Sequence, residues 1–273
     1  MSFTISRRAL AGVATGAVAA SAVSTIAAAK TAEEIMKDGT LRIGVHPNSP
    51  PFSWRDQAGA WSGFDVTIGQ RIAEDLKLKA ELVPTETAER IDFLNAGKID
   101  ISLGGLTRTP ERAMQIAFTV PLHAEVMGVL TTGRLAIDRW KQLDDERFTL
   151  VDIKGAWTID WAKQNLPKAK METVDSPQAA IDMIASGKAQ ALVEMVDFFM
   201  AAAATHSDIA WKVLDDHIDV NWDCIGVAKG NVALRDVLNV VLHKLHATGF
   251  VVDAWKTAFG AEPTVKVPAS PWF

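Results

Sequence analysis

Cysteine occurs once in this chain of 273 residues, at Cys224. No intrachain disulfide can form, and one thiol cannot build a thiolate metal site. A lone cysteine can act as a nucleophile, but Trp222, Ile225 and Val227 around it read as a buried strand, where a free thiol behaves as a small hydrophobe. Positive charge is also short: 28 Lys and Arg face 33 Asp and Glu, a net charge of -5. Nucleic-acid binding needs a basic stripe, so no nucleic-acid partner is expected. After residue 29 no run is long and apolar enough to span a bilayer. Walker loop, dinucleotide fingerprint, HExxH and GxSxG are all missing, and no cofactor is expected. His243 and His246 lie three apart on a helical stretch without a third ligand near in sequence, so no metal is expected either. His206 and His217 are isolated, Asp144–Glu146 and Asp215–Asp216 read as solvated acidic turns, and Ala201–Ala204 as a small-residue helix face.

What is present supports a folded, exported protein. Hydrophobic residues make up 48% of the chain and charged residues 22%, enough apolar surface for a core. The length admits one large domain or two smaller ones. Residues 1–29 read as a signal peptide: Ser6-Arg7-Arg8, then a mildly apolar stretch from Ala9 to Ala28, then small residues at Ala27-Ala28-Ala29 for a peptidase. The arginine pair and Leu10 resemble a twin-arginine leader, although the usual Lys beyond is missing. Losing Arg7 and Arg8 with the leader takes the net charge from -5 to -7. The expected location is the periplasm, with the mature chain soluble.

Strands and helices alternate after residue 38. Leu41–Val45, Glu81–Val83 and Ile99–Leu103 read as strands, with helices marked by Phe64, Ile68, Ile72 and Leu76 and by Ile91 and Leu94. That βαβαβ order predicts a mainly parallel sheet. The pattern then restarts: strands at Thr149–Ile153, Lys170–Thr173 and Ala191–Glu194, helices at Thr158–Gln164 and Ala179–Ala185. "NAGKIDISL" and "ASGKAQALV" look like the same helix–Gly–strand joint, so the chain reads as two similar α/β lobes. A strand at Cys224–Ala228 and a helix at Leu234–Leu245 follow, and a Pro-rich tail from Glu262 reads as surface. Open α/β sheets carry ligands at the carboxyl ends of their strands, so two facing lobes predict a cleft between them.

Four segments carry a resemblance. "GTLRIGVHPNSPPFSWRDQAGAWSGFDVTIGQRIAEDL" at 39–76, "GKIDISLGGLTRTPERAMQIAFTVPL" at 97–122, "SGKAQALVEMVDF" at 186–198 and "DCIGVAKGNVALRDVLNVVL" at 223–242 are similar, in this order, to the periplasmic solute-binding proteins of polar amino-acid ABC transporters, extracellular family 3. The resemblance implies a type II periplasmic-binding-protein-like fold whose chain crosses twice between lobes through a two-stranded hinge. Lobe one would be 38–123 plus 224–273, and lobe two 124–223. It further implies a small amino-acid-like ligand, an ABC permease as partner, a monomer, and no catalysis. Some relatives on this scaffold are exported dehydratases acting on prephenate-like acids, and that is the alternative function.

Within the resemblance, Arg112, five positions after Thr107, corresponds to the arginine that grips the ligand's α-carboxylate. A guanidinium offers paired donors matched to carboxylate oxygens. Thr107 would add a hydroxyl and an N–H, Gly105 would let the backbone approach the ligand, and Thr109-Pro110 starts the helix that carries Arg112. From spacing alone Arg112 reads as pairing with Glu111 or another acid on a helix surface. Glu194 follows a strand where relatives carry an Asp that accepts the α-ammonium; Asp197 is the local alternative, and a solvated acid the plain one. Gly155-Ala156-Trp157-Thr158 replaces a Gly-Thr-Thr turn, leaving Thr158 and backbone N–H groups to donate, while Trp157 either stacks on the ligand or joins the core. His46 and Ser49 replace an Asp and an aromatic, which argues against cationic ligand side chains. Arg90 is either a second cation in the cleft or a solvated helix residue, and Phe52 is expected among the ligand-binding residues.

Overall fold

The computed structural model describes residues 29–196, 205–216 and 218–268. Residues 1–28, which hold most of the expected signal peptide, together with Asp197, Ala201–Ala204 and His217, lie outside the described residues. Among the described residues no helix is long and apolar enough to cross a membrane.

Helix α1 (Ala32–Asp38) opens on a capping box, Thr31 and Glu34 each bonding the other's backbone N–H, and ends at Gly39, whose φ of 70° closes the helix in the left-handed region. Strand β1 (Thr40–Val45) follows, then a small antiparallel ribbon of β2 (Asn48–Ser49), β3 (Ser53–Arg55) and β4 (Trp61–Ser62). Helix α2 (Phe64–Asp75) buries Phe64, Ile68 and Ile72 at helical spacing, and β5 (Lys79–Pro84) pairs parallel with β1. Helix α3 (Arg90–Asn95) leads to β6 (Ile101–Ser102), parallel to the other side of β1. The expected strand at Ile99–Leu103 is thus confined to its middle.

Helix α4 (Pro110–Ala113) and the long strand β7 (Ile116–Thr132) come next. Then follow β8 (Thr149–Ile153), α5 (Thr158–Asn165), β9 (Lys170–Val174), α6 (Pro177–Ala185) and β10 (Leu192–Met195). Further along the chain come β11 (Trp211–Val213), β12 (Asp219–Ala228), α7 (Val232–Ala247) and α8 (Phe250–Phe259). The tail to Pro268 is exposed or half-buried, as expected of surface chain.

The sheet corrects one expectation. Its order is β10-β7-β12-β6-β1-β5, with β11 also on β7, and only β5-β1-β6 is parallel. β12 runs antiparallel to both β6 and β7, and β10 and β11 antiparallel to β7. The sheet is mixed because the 17 residues of β7 do not return through a helix. They run on, pairing first with β12 and then, from Met127, with β10 and β11. Through these pairings β7 and β12 link the β5-β1-β6 strands to β10 and β11 in one sheet. The register between β7 and β12 shifts around Pro121 and Cys224, a bulge that accommodates a residue without an N–H.

The internal repeat has a hydrogen-bond counterpart. In the first lobe Asp100 N donates to Arg42 O at 2.8 Å; in the second Gln190 N donates to Thr149 O at 2.7 Å. Gly97 and Gly187, with φ of 63° and 77°, make the preceding turns. Trp255, Phe64, Leu41, Ile43 and Ile68 are among the fully buried side chains of one core; Leu150, Ala191, Val193 and Leu166 belong to another. Cys224 is buried, and burial pushes its thiol far above the usual range, so it is packing rather than a nucleophile.

Candidate ligand cleft

A cavity of about 70 Å³ lies between the two lobes. It brings together His46, Phe52, Arg90, Gly105, Thr107, Arg112, Trp157 and Glu194, residues drawn from both halves of the chain. Thr158 is not among its lining: it is fully buried and its hydroxyl donates to Asp152 inside the second lobe. Asp197 lies outside the described residues.

The floor is positioned by backbone pairing. Arg108 N donates to Trp222 O at 2.9 Å, and Thr107 forms a β-bridge with Asp223, fixing the Gly104–Arg108 segment against β12. Gly104 and Gly105 have φ of 91° and 66°, so the loop turns here in a region that disfavours other residues. Thr109 caps α4, its side chain accepting from Arg112 N at 3.3 Å.

Arg112 is 8% exposed. Its Nη1 donates to Thr107 O at 2.9 Å and its Nη2 to Gly155 O at 2.8 Å. A guanidinium has five N–H donors, so the remaining ones can meet a carboxylate. Burial lowers its pKa, against Glu125, Glu194 and Asp223. Arg90 is also buried, not solvated. It donates from Nε to Thr87 O at 3.0 Å and from Nη1 to Gly104 O at 2.5 Å and Gly105 O at 2.8 Å. It therefore shapes the glycine loop as well as adding positive charge. Burial first, then Arg112, lowers its pKa to about 10.

His46 is 5% exposed, and burial, then Arg90, brings its pKa down to about 4. It is therefore neutral near pH 7. Its Nδ1 accepts from Asn48 N at 3.2 Å, and its Nε2 lies 3.0 Å from Glu86 Oε2. Phe52 stacks on His123 at 5.7 Å between centroids and meets Phe64, Trp255 and Phe259 edge-on. Trp157 is half-buried, with its ring between the cleft and the core. Glu194 is held on β10, its Oε1 accepting from Met195 N at 2.9 Å, and burial raises its pKa.

Sequence reasoning missed two acids. Glu125 on β7 lines the cavity, and Asp223 on β12 stands behind Gly105. They are 3% and 1% exposed, and burial raises each to a pKa of about 7. Asp65 at the start of α2 and Asp152 on β8 are also buried and raised well above the carboxylate range, mainly by burial. The available signal was charge within otherwise apolar strands, as in "PLHAEVMGVL". Among the described residues no group of three His, Cys, Asp or Glu could hold a metal ion.

Known proteins resemble this architecture. The chain is 28% identical to a probable amino-acid ABC transporter-binding protein of Haemophilus influenzae, over 92% of this chain and 95% of that one. It is also 28% identical to a cyclohexadienyl dehydratase of Pseudomonas aeruginosa, over 59% of this chain and 61% of that one. The crystal structure of a solute receptor for L-cysteine of Neisseria gonorrhoeae superposes with a TM-score of 0.77 at 28% identity, covering 84% of this chain and 93% of that one. Residues 41–260 match the model of a family with this two-lobed, cleft-bearing build, and the chain belongs to it: the bacterial extracellular solute-binding proteins, family 3.

Proposed function

We propose that this protein captures a small α-amino acid or related carboxylate in the interlobe cleft and delivers it to an ABC transporter permease. The observation that carries this reading is Arg112: buried, on the cavity wall, with donors left over after two backbone bonds. The ligand carboxylate would lie on Arg112 and the Thr107 hydroxyl, and its ammonium toward Glu194. Lobe one would be 38–123 plus 224–273, lobe two 124–223, and β7 and β12 the hinge. Groups from both lobes reach the ligand only in the closed form, so binding favours closure. The relatives support this reading, one being a probable amino-acid transporter-binding protein and one a receptor for L-cysteine. Export of a monomer to the periplasm behind residues 1–29 completes the proposal.

A second reading has an observation of its own. Burial holds the Glu194 carboxyl above its ordinary value, which suits a general acid, and one relative is a cyclohexadienyl dehydratase. A thermal-shift screen of the mature protein against the standard amino acids, small dicarboxylates and prephenate separates the two. A ligand at about 100 times its Kd adds roughly 2.7 kcal/mol and is readily detected. A shift with one amino acid, reduced in Glu194→Gln far more than for the amine-free analogue, supports binding. A shift with prephenate alone, together with its turnover, overturns it.

A further inference from the structure

Two carboxyls on the interlobe strands are not used by the reading above. Glu125 lines the cavity from β7, and Asp223 lies on β12. Asn221 is the register partner of Glu125 and Asp223 that of His123, so the two acids share a face on a diagonal. Glu125 Oε2 and Asp223 Oδ2 are buried without a hydrogen-bond partner among the described residues. A buried, unpaired carboxylate oxygen is costly.

Other charges approach from every side: Asp65 on α2, Arg90 on α3, Arg112 on α4, His123 on β7 and Glu194 on β10. The two guanidiniums direct their hydrogen bonds to backbone carbonyls, Arg90 to Thr87, Gly104 and Gly105, and Arg112 to Thr107 and Gly155. Burial favours the neutral form of Asp65 and keeps a proton on the Glu125 and Asp223 pair, so the four acids do not all carry charge beside the two guanidiniums. A protonated amine entering this space supplies donors to the unpaired oxygens and a positive charge that replaces that proton.

We propose that Glu125 is a specificity-determining residue that takes the ligand's protonated amine, the proton held by Glu125 and Asp223 passing to solvent as the amine binds. This rests on the amino-acid reading, and it moves the amine toward the hinge strands rather than to Glu194 alone. The balance is one cation in and one proton out, with no bond to carbon made or broken. Burial raises both carboxyls to a pKa of about 7, with the charge of Asp223 adding to the shift of Glu125, which makes that proton available.

The test is calorimetric titration of the mature protein with L-cysteine, and with the other standard amino acids if L-cysteine gives no heat. Each titration is run in phosphate and in imidazole, which both buffer from about pH 6 to pH 8 and differ in ionisation heat. Wild type is expected to release about one proton per ligand near pH 6 and almost none by about pH 8. Glu125→Gln should abolish the release and weaken the amino acid about tenfold or more, while moving the amine-free analogue 3-mercaptopropionate less than about twofold. Glu194→Gln should keep the release. Absence of release from wild type overturns the proposal without any variant having to fold. So does release that persists in Glu125→Gln or vanishes in Glu194→Gln, although in all these cases amino-acid binding itself stands. Binding of no standard amino acid to wild type overturns the amino-acid reading and this subsite together.

Discussion

Arg112 Nη2 donates to the carbonyl of Gly155 at 2.8 Å, a bond between α4 and the turn before α5, 43 positions apart in sequence. The residue proposed to grip the carboxylate also ties one lobe to the other. Ligand affinity and closure are then expected to respond to the same side chain.

Arg112→Ala should abolish detectable binding while the far-ultraviolet circular dichroism stays native. Arg112→Lys should recover only part of the affinity, because an ammonium cannot hold Thr107 O, Gly155 O and a carboxylate in one plane. Full affinity in Arg112→Lys, measured by calorimetry, would show that charge alone is read.

Gly155 meets the first lobe at close range. A Cβ added there would lie 2.8 Å from Ala88 Cα and 3.0 Å from Ala88 N, and φ is 84°. Backbone cannot yield as a flexible side chain does. Gly155→Ala should therefore resist closure and weaken ligand binding about tenfold or more, with strain of about 1 kcal/mol besides. Small-angle scattering should show the variant remaining extended at ligand concentrations that compact the wild type.

The buried acids set a pH dependence for the unliganded protein. Glu125 and Asp223 bind protons more tightly folded than unfolded, with folded pKa values of about 7. The stability they allow is complete below the ordinary carboxylate range and is lost as pH rises through about 7. The melting temperature should fall between about pH 5 and pH 8. Glu125→Gln, which cannot ionise, should flatten that fall and melt above wild type at the alkaline end. An identical slope in the variant would remove Glu125 from the account.

Asp100 makes a different kind of contribution. It is 5% exposed and accepts from Arg42 N at 2.8 Å and Arg42 Nε at 3.1 Å, with Arg42 Nη2 on its other oxygen. Asp100→Ala leaves those donors unpaired and should cost about 3 kcal/mol in denaturant unfolding. The pair lies at the far end of β1 from the cleft, so affinity should stay within about twofold.

Some of this was legible before any coordinates. Amphipathic spacing marked α2 and α7, the Gly97 and Gly187 joints marked the repeat, and the Thr109–Pro110 cap with the five-residue spacing from Thr107 pointed to Arg112. These signals are local: a period, a cap, a left-handed glycine. The strand β7 left no such mark. It is buried on both faces from Leu122 on, so it does not alternate, and it contains Pro121 and Glu125, which read as breaks.

The sequence by itself determined that the chain is two repeated α/β units with an arginine five positions after Thr107 on a capped helix. Period, capping and spacing act over a few residues and survive in one dimension. Only the tertiary structure decided that the sheet is mixed, that β7 and β12 pair along its middle, and that Glu125 and Asp223 share a buried face by the cavity. Desolvation raises both carboxyls, and the charge of Asp223 raises Glu125 further, effects that depend on which distant strands become neighbours.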